Sequence, residues 1–443
     1  MTSAASETPA GEPVREPARV ADGERNGTVK PLGPKVVALG GGHGLYASLS
    51  ALRRVTDRLT AVVTVADDGG SSGRLRRELG VLPPGDLRMA LAALCGDDEW
   101  GQTWRDVVQH RFRSEGDLQG HAVGNLLIVA LWELLGGAST GAAADLLLGA
   151  LPGGAAGAPS GTAPQGAPGG APNSAPTSAP TSAHGGLAEG PSSGEAGDSP
   201  GGSPGGVPGA VAGGPRGGEP AGAGVPGGPA WGAPSGSTVA GLDWVGRLLG
   251  AHGRVLPMAA VPMDIVAEVR GADPSRPDEV TRVKGQVACA KTPGSVLGVS
   301  LVPADPPACP EALAAVEDAD WIVFGPGSWF TSVLPHLKVP ALARALTSSR
   351  ARRVVALNLA PQPGETDDFS PQAHLEVLQA HAPDLSVDVV IADEGVVEDP
   401  GALEKAVRRL GGRLVLAGVA ADDGSPRHDP ARLAQAFVQI FSE

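Results

Sequence analysis

Three short stretches of this chain carry residue types and spacings suited to holding an anion. Gly40-Gly41-Gly42-His43-Gly44 lets backbone approach a guest closely. It also offers N–H groups at the start of a helix, where the positive dipole end attracts negative charge. A phosphate is the natural guest, although a tight strand-to-helix turn reads the same way. His43 either donates to that phosphate or is a solvated loop histidine. The second stretch, Asp67-Asp68-Gly69-Gly70-Ser71-Ser72-Gly73, joins two carboxylates to a nest of N–H and hydroxyl groups. The carboxylates suit a divalent cation or sugar hydroxyls, and Gly70, Ser71 and Ser72 suit a phosphate. An Asp-Gly turn is the plainer alternative. Arg74, Arg76 and Arg77 follow directly, either to clamp phosphate oxygens or to form a solvated helix face. Gly327, Ser328 and Thr331 repeat the phosphate-ready pattern. Asn125 opens another helix, free to meet a base, a ribose or the backbone. Asp86, after Pro83-Pro84, stands where an N-cap is required. No Walker A lysine, nucleophile elbow or HExxH motif is present.

These loops need strands to position them. Lys35–Leu39, Leu59–Ala66, Trp321–Phe324 and Val354–Leu357 are short apolar runs, and each ends in a loop rich in Gly, Pro or polar residues. Strands buried on both faces read in this way, and their alternation with helical spacing predicts a parallel, doubly wound sheet. Ligands in such sheets bind at the carboxyl ends of the strands, so the four loops are expected to converge on one crevice. Further strands are expected at Val255–Ala259, Ile265–Val269, Val299–Val302, Val387–Ile391 and Leu414–Val419.

Among 443 residues there are 66 Gly and 42 Pro, and the excess is concentrated. About half of the positions from Pro152 to Thr238 are Gly or Pro, with too few apolar residues to bury a core. The chain therefore reads as a disordered tail over 1–33 and one α/β, Rossmann-like domain over 34–151 and 239–443. A long disordered insertion over 152–238 interrupts that domain. The formal charge of −14 and the scarcity of aromatic residues argue against nucleic-acid binding. Three widely spaced cysteines fit a reducing cytoplasm, and no apolar run suits membrane insertion.

The ordered motifs Gly-Gly-Gly-His-Gly-Leu (40–45), Thr-Val-Ala-Asp-Asp-Gly-Gly-Ser-Ser-Gly-Arg-Leu-Arg (64–76), Pro-Pro-Gly-Asp-Leu-Arg (83–88), Gly-His-Ala-Val-Gly-Asn-Leu-Leu (120–127), Gly-Pro-Gly-Ser-Trp-Phe-Thr-Ser-Val (325–333) and Gln-Pro-Gly-Glu-Thr (362–366) closely resemble the gluconeogenesis factor family. These are the YvcK-like relatives of 2-phospho-L-lactate transferase. The resemblance implies a Rossmann-like fold and a cytoplasmic protein that binds a UDP-sugar, notably UDP-N-acetylglucosamine. It also implies a role linking gluconeogenic carbon metabolism to cell-wall synthesis and cell shape, with cell-wall proteins as partners; self-association stays open. Carried over by position, Gly40–Gly44 and Gly327-Ser328 hold phosphates, Asp67, Asp68 and Asn125 face the sugar or base, and Arg427 is a further nucleotide-sugar contact. The chain departs from the motifs at Met89, Ala122, Phe330 and Pro361.

Two function classes follow. A nucleotide-sugar sensor requires no cofactor. A transferase acting on a nucleotide-activated donor would use Mg2+ on Asp67 and Asp68 to neutralise developing phosphate charge. The scarcity of aromatics to pack a deazaflavin acceptor favours the sensor. A plain NAD-binding module fits less well, because the acid expected about 20 residues past the glycines has only Asp57 and Asp67 as candidates.

Overall fold

The computed structural model describes residues 33–137, 235–362, 364–367 and 369–443. Apart from Gly33 and residues 235–238, the tail and the insertion expected from composition lie outside the described residues. The first element after position 234 is a helix, Ser235–Leu249. The domain thus resumes four residues earlier than composition indicates, because Gly236 and Ser235 read as part of the low-complexity run.

Seven strands form one parallel sheet: β1 (Val36–Gly40), β2 (Leu59–Val63), β3 (Arg254–Pro257), β7 (Trp321–Phe324), β8 (Arg352–Ala356), β9 (Val389–Asp393) and β10 (Arg413–Ala417), in the order β10-β9-β8-β7-β1-β2-β3. The central strands are buried along their whole length, as their unbroken Val, Ile, Leu and Ala runs require. From β1 the chain proceeds outward through β2 to β3, and from β7 it proceeds the opposite way through β8 and β9 to β10. The order therefore reverses between β1 and β7, which pair in register from Val36 with Trp321 to Leu39 with Phe324.

Twelve α-helices among the described residues cover the sheet and its margins. Those that matter for the site are α1 (Gly42–Leu52), α2 (Gly70–Leu79), α3 (Gly85–Leu94), α4 (Glu99–Gln109) and α5 (Val123–Gly137). The helix over 235–249 becomes α6 in this order and packs beside α5. A short helix α7 (Gln286–Lys291) follows, then α8 (Pro310–Glu317), α9 (Pro340–Ser348), α10 (Pro371–His381), α11 (Pro400–Arg409) and α12 (Pro430–Phe441).

A second, three-stranded antiparallel sheet lies between β3 and α8 in the chain: β4 (Asp264–Arg270) runs between β5 (Val280–Lys284) and β6 (Ser295–Val302). Its apolar positions alternate, with Val296, Val299 and Leu301 buried while their neighbours are exposed or half-buried. Only β4 and β6 announce themselves in the sequence. β5 (Val-Thr-Arg-Val-Lys) is exposed at nearly every position, so no apolar run marks it.

Candidate functional site

The crevice lies at the reversal between β1 and β7, where the two outgoing loops are pressed together. A Cβ on Gly44 would stand 2.1 Å from the Pro326 carbonyl oxygen, so only glycine fits there. Gly327 is gripped in turn by Asn358, whose Oδ1 accepts from the Gly327 N–H at 2.8 Å and whose Nδ2 donates to the Gly327 oxygen at 2.9 Å. That pair of bonds fixes the β7 loop against the end of β8. Above this floor is a cavity of about 600 Å3, whose walls include His43, Tyr46, Asn358, Gln362, Arg427 and His428. The size suits a small-molecule ligand.

Helix α1 points its N-terminus at this place. Gly42 begins it with φ +56, a left-handed conformation that favours glycine. The first intrahelical bond is from Leu45 N–H to the Gly41 oxygen at 3.3 Å, so the N–H groups of His43 and Gly44 precede the regular ladder. Arg427 donates to Asp423 and, at 2.9 Å, to the Ser425 oxygen, and its side chain is well exposed. Burial pushes His428 down to about 4, against the opposing pull of the Leu357 backbone and Asp393. It is therefore neutral at physiological pH, whereas Arg427 brings a guanidinium to this rim.

The loop after β2 behaves differently and does not line this cavity; of the four loops expected to converge, those after β1, β7 and β8 do. Ser71 Oγ is within 3.0 Å of His121 Nδ1, accepts from Asn125 Nδ2 at 3.0 Å and takes the Ala122 N–H at 3.3 Å. A hydroxyl has one proton and two lone pairs, so Ser71 is fully engaged. Ser72 Oγ accepts from the Gly85 N–H at 2.9 Å. Asn125, almost wholly buried, receives Arg88 Nε on its Oδ1 at 3.0 Å. Asn125, Ser71 and Ser72 thus bind the starts of α2, α3 and α5 to one another. Gly70 stands at φ +46 in open space.

Asp67 and Asp68 diverge. The Asp67 Oδ1 takes the Gly69 N–H at 2.9 Å, whereas the Asp68 Oδ1 takes the Val287 N–H of α7 at 3.0 Å, on the small-sheet side. Asp68 still raises Asp67 by its charge, and Asp67 in turn acts on a third carboxyl, Asp86. The N-cap position of α3 is Pro84, and no side chain caps that helix. Asp86 instead accepts from the backbone of Gly42, at the start of α1. Burial raises it to about 7, and the Asp67 charge adds to that, while the Gly42 N–H and Arg88 oppose. Burial likewise raises Asp67 and lowers Arg88 to about 10, with Arg111 adding to the fall. Two crowded carboxyls beside a serine hydroxyl are a donor set that Mg2+ accepts, since it needs only one or two carboxylates with waters. Asp67 is the carboxyl common to such a pair, with Asp68 or with Asp86 beside it. Among the described residues there is no group of three or more His, Cys, Asp or Glu placed to hold a metal.

Ser328 and Thr331 meet a protein carboxylate. Glu365 accepts from Ser328 Oγ and from Thr331 Oγ1 at 3.1 Å, and burial raises its pKa against those bonds. Glu365 and Asn358 both follow β8, and polar residues just past a buried strand were the available signal for them. Phe330, where the family motif carries a hydroxyl, packs edge-on to Phe369 and His381.

A parallel sheet whose strand order reverses over a glycine-built crevice defines a doubly wound, Rossmann-like α/β protein. A family model described as 2-phospho-L-lactate transferase CofD matches residues 36–150 and 232–410. A relative in Mycobacterium leprae that bears the gluconeogenesis-factor name is 40% identical over 408 residues, which are 91% of this chain and 85% of that protein. The gluconeogenesis factor of Listeria innocua is 26% identical over 419 residues, 92% of this chain and 96% of its own. A solved UPF0052 family member from Bacillus halodurans matches with TM-score 0.62 and 25% identity, covering 92% of this chain and 99% of the other. The chain belongs to the gluconeogenesis factor family, related to the CofD transferases.

Proposed function

We propose that this protein binds a UDP-sugar, of the UDP-N-acetylglucosamine type, in the β1/β7 crevice. In that bound state it regulates cell-wall synthesis and cell shape according to gluconeogenic carbon supply. The observation that carries the reading is the cavity of about 600 Å3 at the reversal of strand order, lined both by the start of α1 and by Arg427. The helix end and the arginine suit the diphosphate, and the polar rim of Asn358 and Gln362 suits the sugar or base. Its partners are cell-wall synthesis proteins, it acts in the cytoplasm, and binding needs no cofactor. No helix of the described residues is long and apolar enough to cross a membrane.

The test is ligand-shift melting of the full chain with UDP-N-acetylglucosamine, UDP-glucose, GTP and NAD, followed by chromatography of the stabilising nucleotide after long incubation. Stabilisation by the UDP-sugar without conversion is the expected result. A second reading, a Mg2+-dependent transferase with a nucleotide-activated donor, is favoured by the cluster of carboxyls around Asp67, formed by Asp68 and Asp86. Mg2+-dependent consumption of a nucleotide that is lost in Asp67→Asn would establish it instead.

A further inference from the structure

A second cavity, of about 720 Å3, opens between α2 and the root of the small sheet, and it shares no lining residue with the β1/β7 crevice. Arg76 and Arg77 enter it from α2, Asp264 from the start of β4 and Lys284 from the end of β5. Asp264 is held between two cations, with Arg76 Nη2 at 2.7 Å and Lys284 Nζ at 2.9 Å. Asp68, the other acid of the lining, turns its carboxylate to the Val287 N–H. Arg77 makes one long bond of 3.4 Å, to the Asp68 backbone oxygen, and forms no ion pair among the described residues. Three cations therefore face two carboxylates, and both carboxylates are already engaged. This is a local positive surplus in a chain of net charge −14. Arg76 is largely shielded from solvent, at 16% side-chain exposure, and most of its five N–H donors remain for a guest. The rest of the wall is apolar but not aromatic, and includes Val261, Val302 and Pro303.

We propose that this cavity is a second small-molecule site, for an oxyanion carried on a short apolar body. The charged head sits on Arg77 and the free edge of Arg76, and the body lies along the valine and proline wall. A carboxylate and a phosphate monoester share that chemistry. The site stands apart from the UDP-sugar reading and does not depend on it.

The experiment is calorimetric titration of the full chain with butyrate and with butyl phosphate, in the wild type and in the Arg77→Gln and Arg427→Ala variants. The expected result is saturable binding of at least one probe at one per chain, weakened tenfold or more by Arg77→Gln and unchanged by Arg427→Ala. Whichever probe binds more tightly identifies the head group. Binding of neither probe, equal binding by Arg77→Gln, or loss in Arg427→Ala would overturn the proposal. UDP-N-acetylglucosamine titrated into the same three proteins reports on the other crevice separately, and its failure to bind would leave the Arg77 result standing.

Discussion

The two glycine-rich loops after β1 and β2 look alike in sequence and do opposite things in the structure. The first, over 40–44, is built of backbone; Gly44 locks against Pro326 and Gly327, the Gly42 N–H is taken by Asp86, and the next residues of the helix end, His43 and Gly44, line the open cavity. The second, over 67–73, spends its hydroxyls on the protein. Ser71 and Ser72 knit three helix starts together around Asn125 and Arg88. The lesson is that a phosphate-ready motif is available for a ligand only if nothing internal has claimed its donors, and that accounting requires three dimensions.

The comparison can be broken most forcefully at Gly44. Gly44→Ala places a Cβ on backbone that cannot move aside, and the expected loss is about 3–5 kcal/mol in urea unfolding. A wild-type midpoint would show that the two loops are not interlocked. Next comes Asp86. The folded chain keeps on Asp86 a proton that the unfolded chain releases at the ordinary carboxyl value of 3.8, so stability falls as pH rises from there through about 7. Asp86→Asn removes that loss while its side-chain oxygen still accepts from Gly42. The variant should gain at most about 4 kcal/mol at pH 8, and the gain should shrink to nothing near pH 4. A gain independent of pH would refute the assignment.

Ser71→Ala leaves the Asn125 amide and the Ala122 N–H without their acceptor, and about 2 kcal/mol of stability should go with it. UDP-sugar affinity, measured on the folded fraction, should change little. Arg427→Ala should do the reverse, weakening the UDP-sugar at least tenfold in calorimetry while the melting temperature holds. If these two variants exchange effects, the division between an open loop and a structural loop is wrong. The smallest change is expected at Gly70, which meets nothing within 4 Å but sits at φ +46. Gly70→Ala should cost about 1–2 kcal/mol, from backbone conformation alone.

Much of the large sheet could be read from the chain, because strands buried on both faces leave continuous apolar runs such as Val36–Leu39 and Val389–Ile391. The glycine turns after β1 and β7 were legible for a related reason, since close backbone approach excludes other residues. The small sheet was only partly legible, for β5 has no buried face to impose a pattern. Within the site, Asp86 misled. A carboxylate at a helix start is the mark of a cap, and nothing local tells that it reaches a different helix. Nor does adjacency tell that Asp67 and Asp68 turn to different partners, the Gly69 N–H and the Val287 N–H. Asn358 and Glu365 act across loops more than thirty residues away, a relation that spacing cannot encode.

The contact of Gly44 with Pro326 also bears on how this family can diversify. At that seam no side chain can be added, so in the proposed complex the phosphate end of the ligand would meet backbone atoms that substitution there cannot alter. Novelty is left to the rim, at positions such as Tyr46, Gln362 and Arg427, whose side chains can be exchanged without disturbing the joint beneath. Relatives built on this seam should therefore diverge in the group their ligand carries sooner than in how they grip its charge.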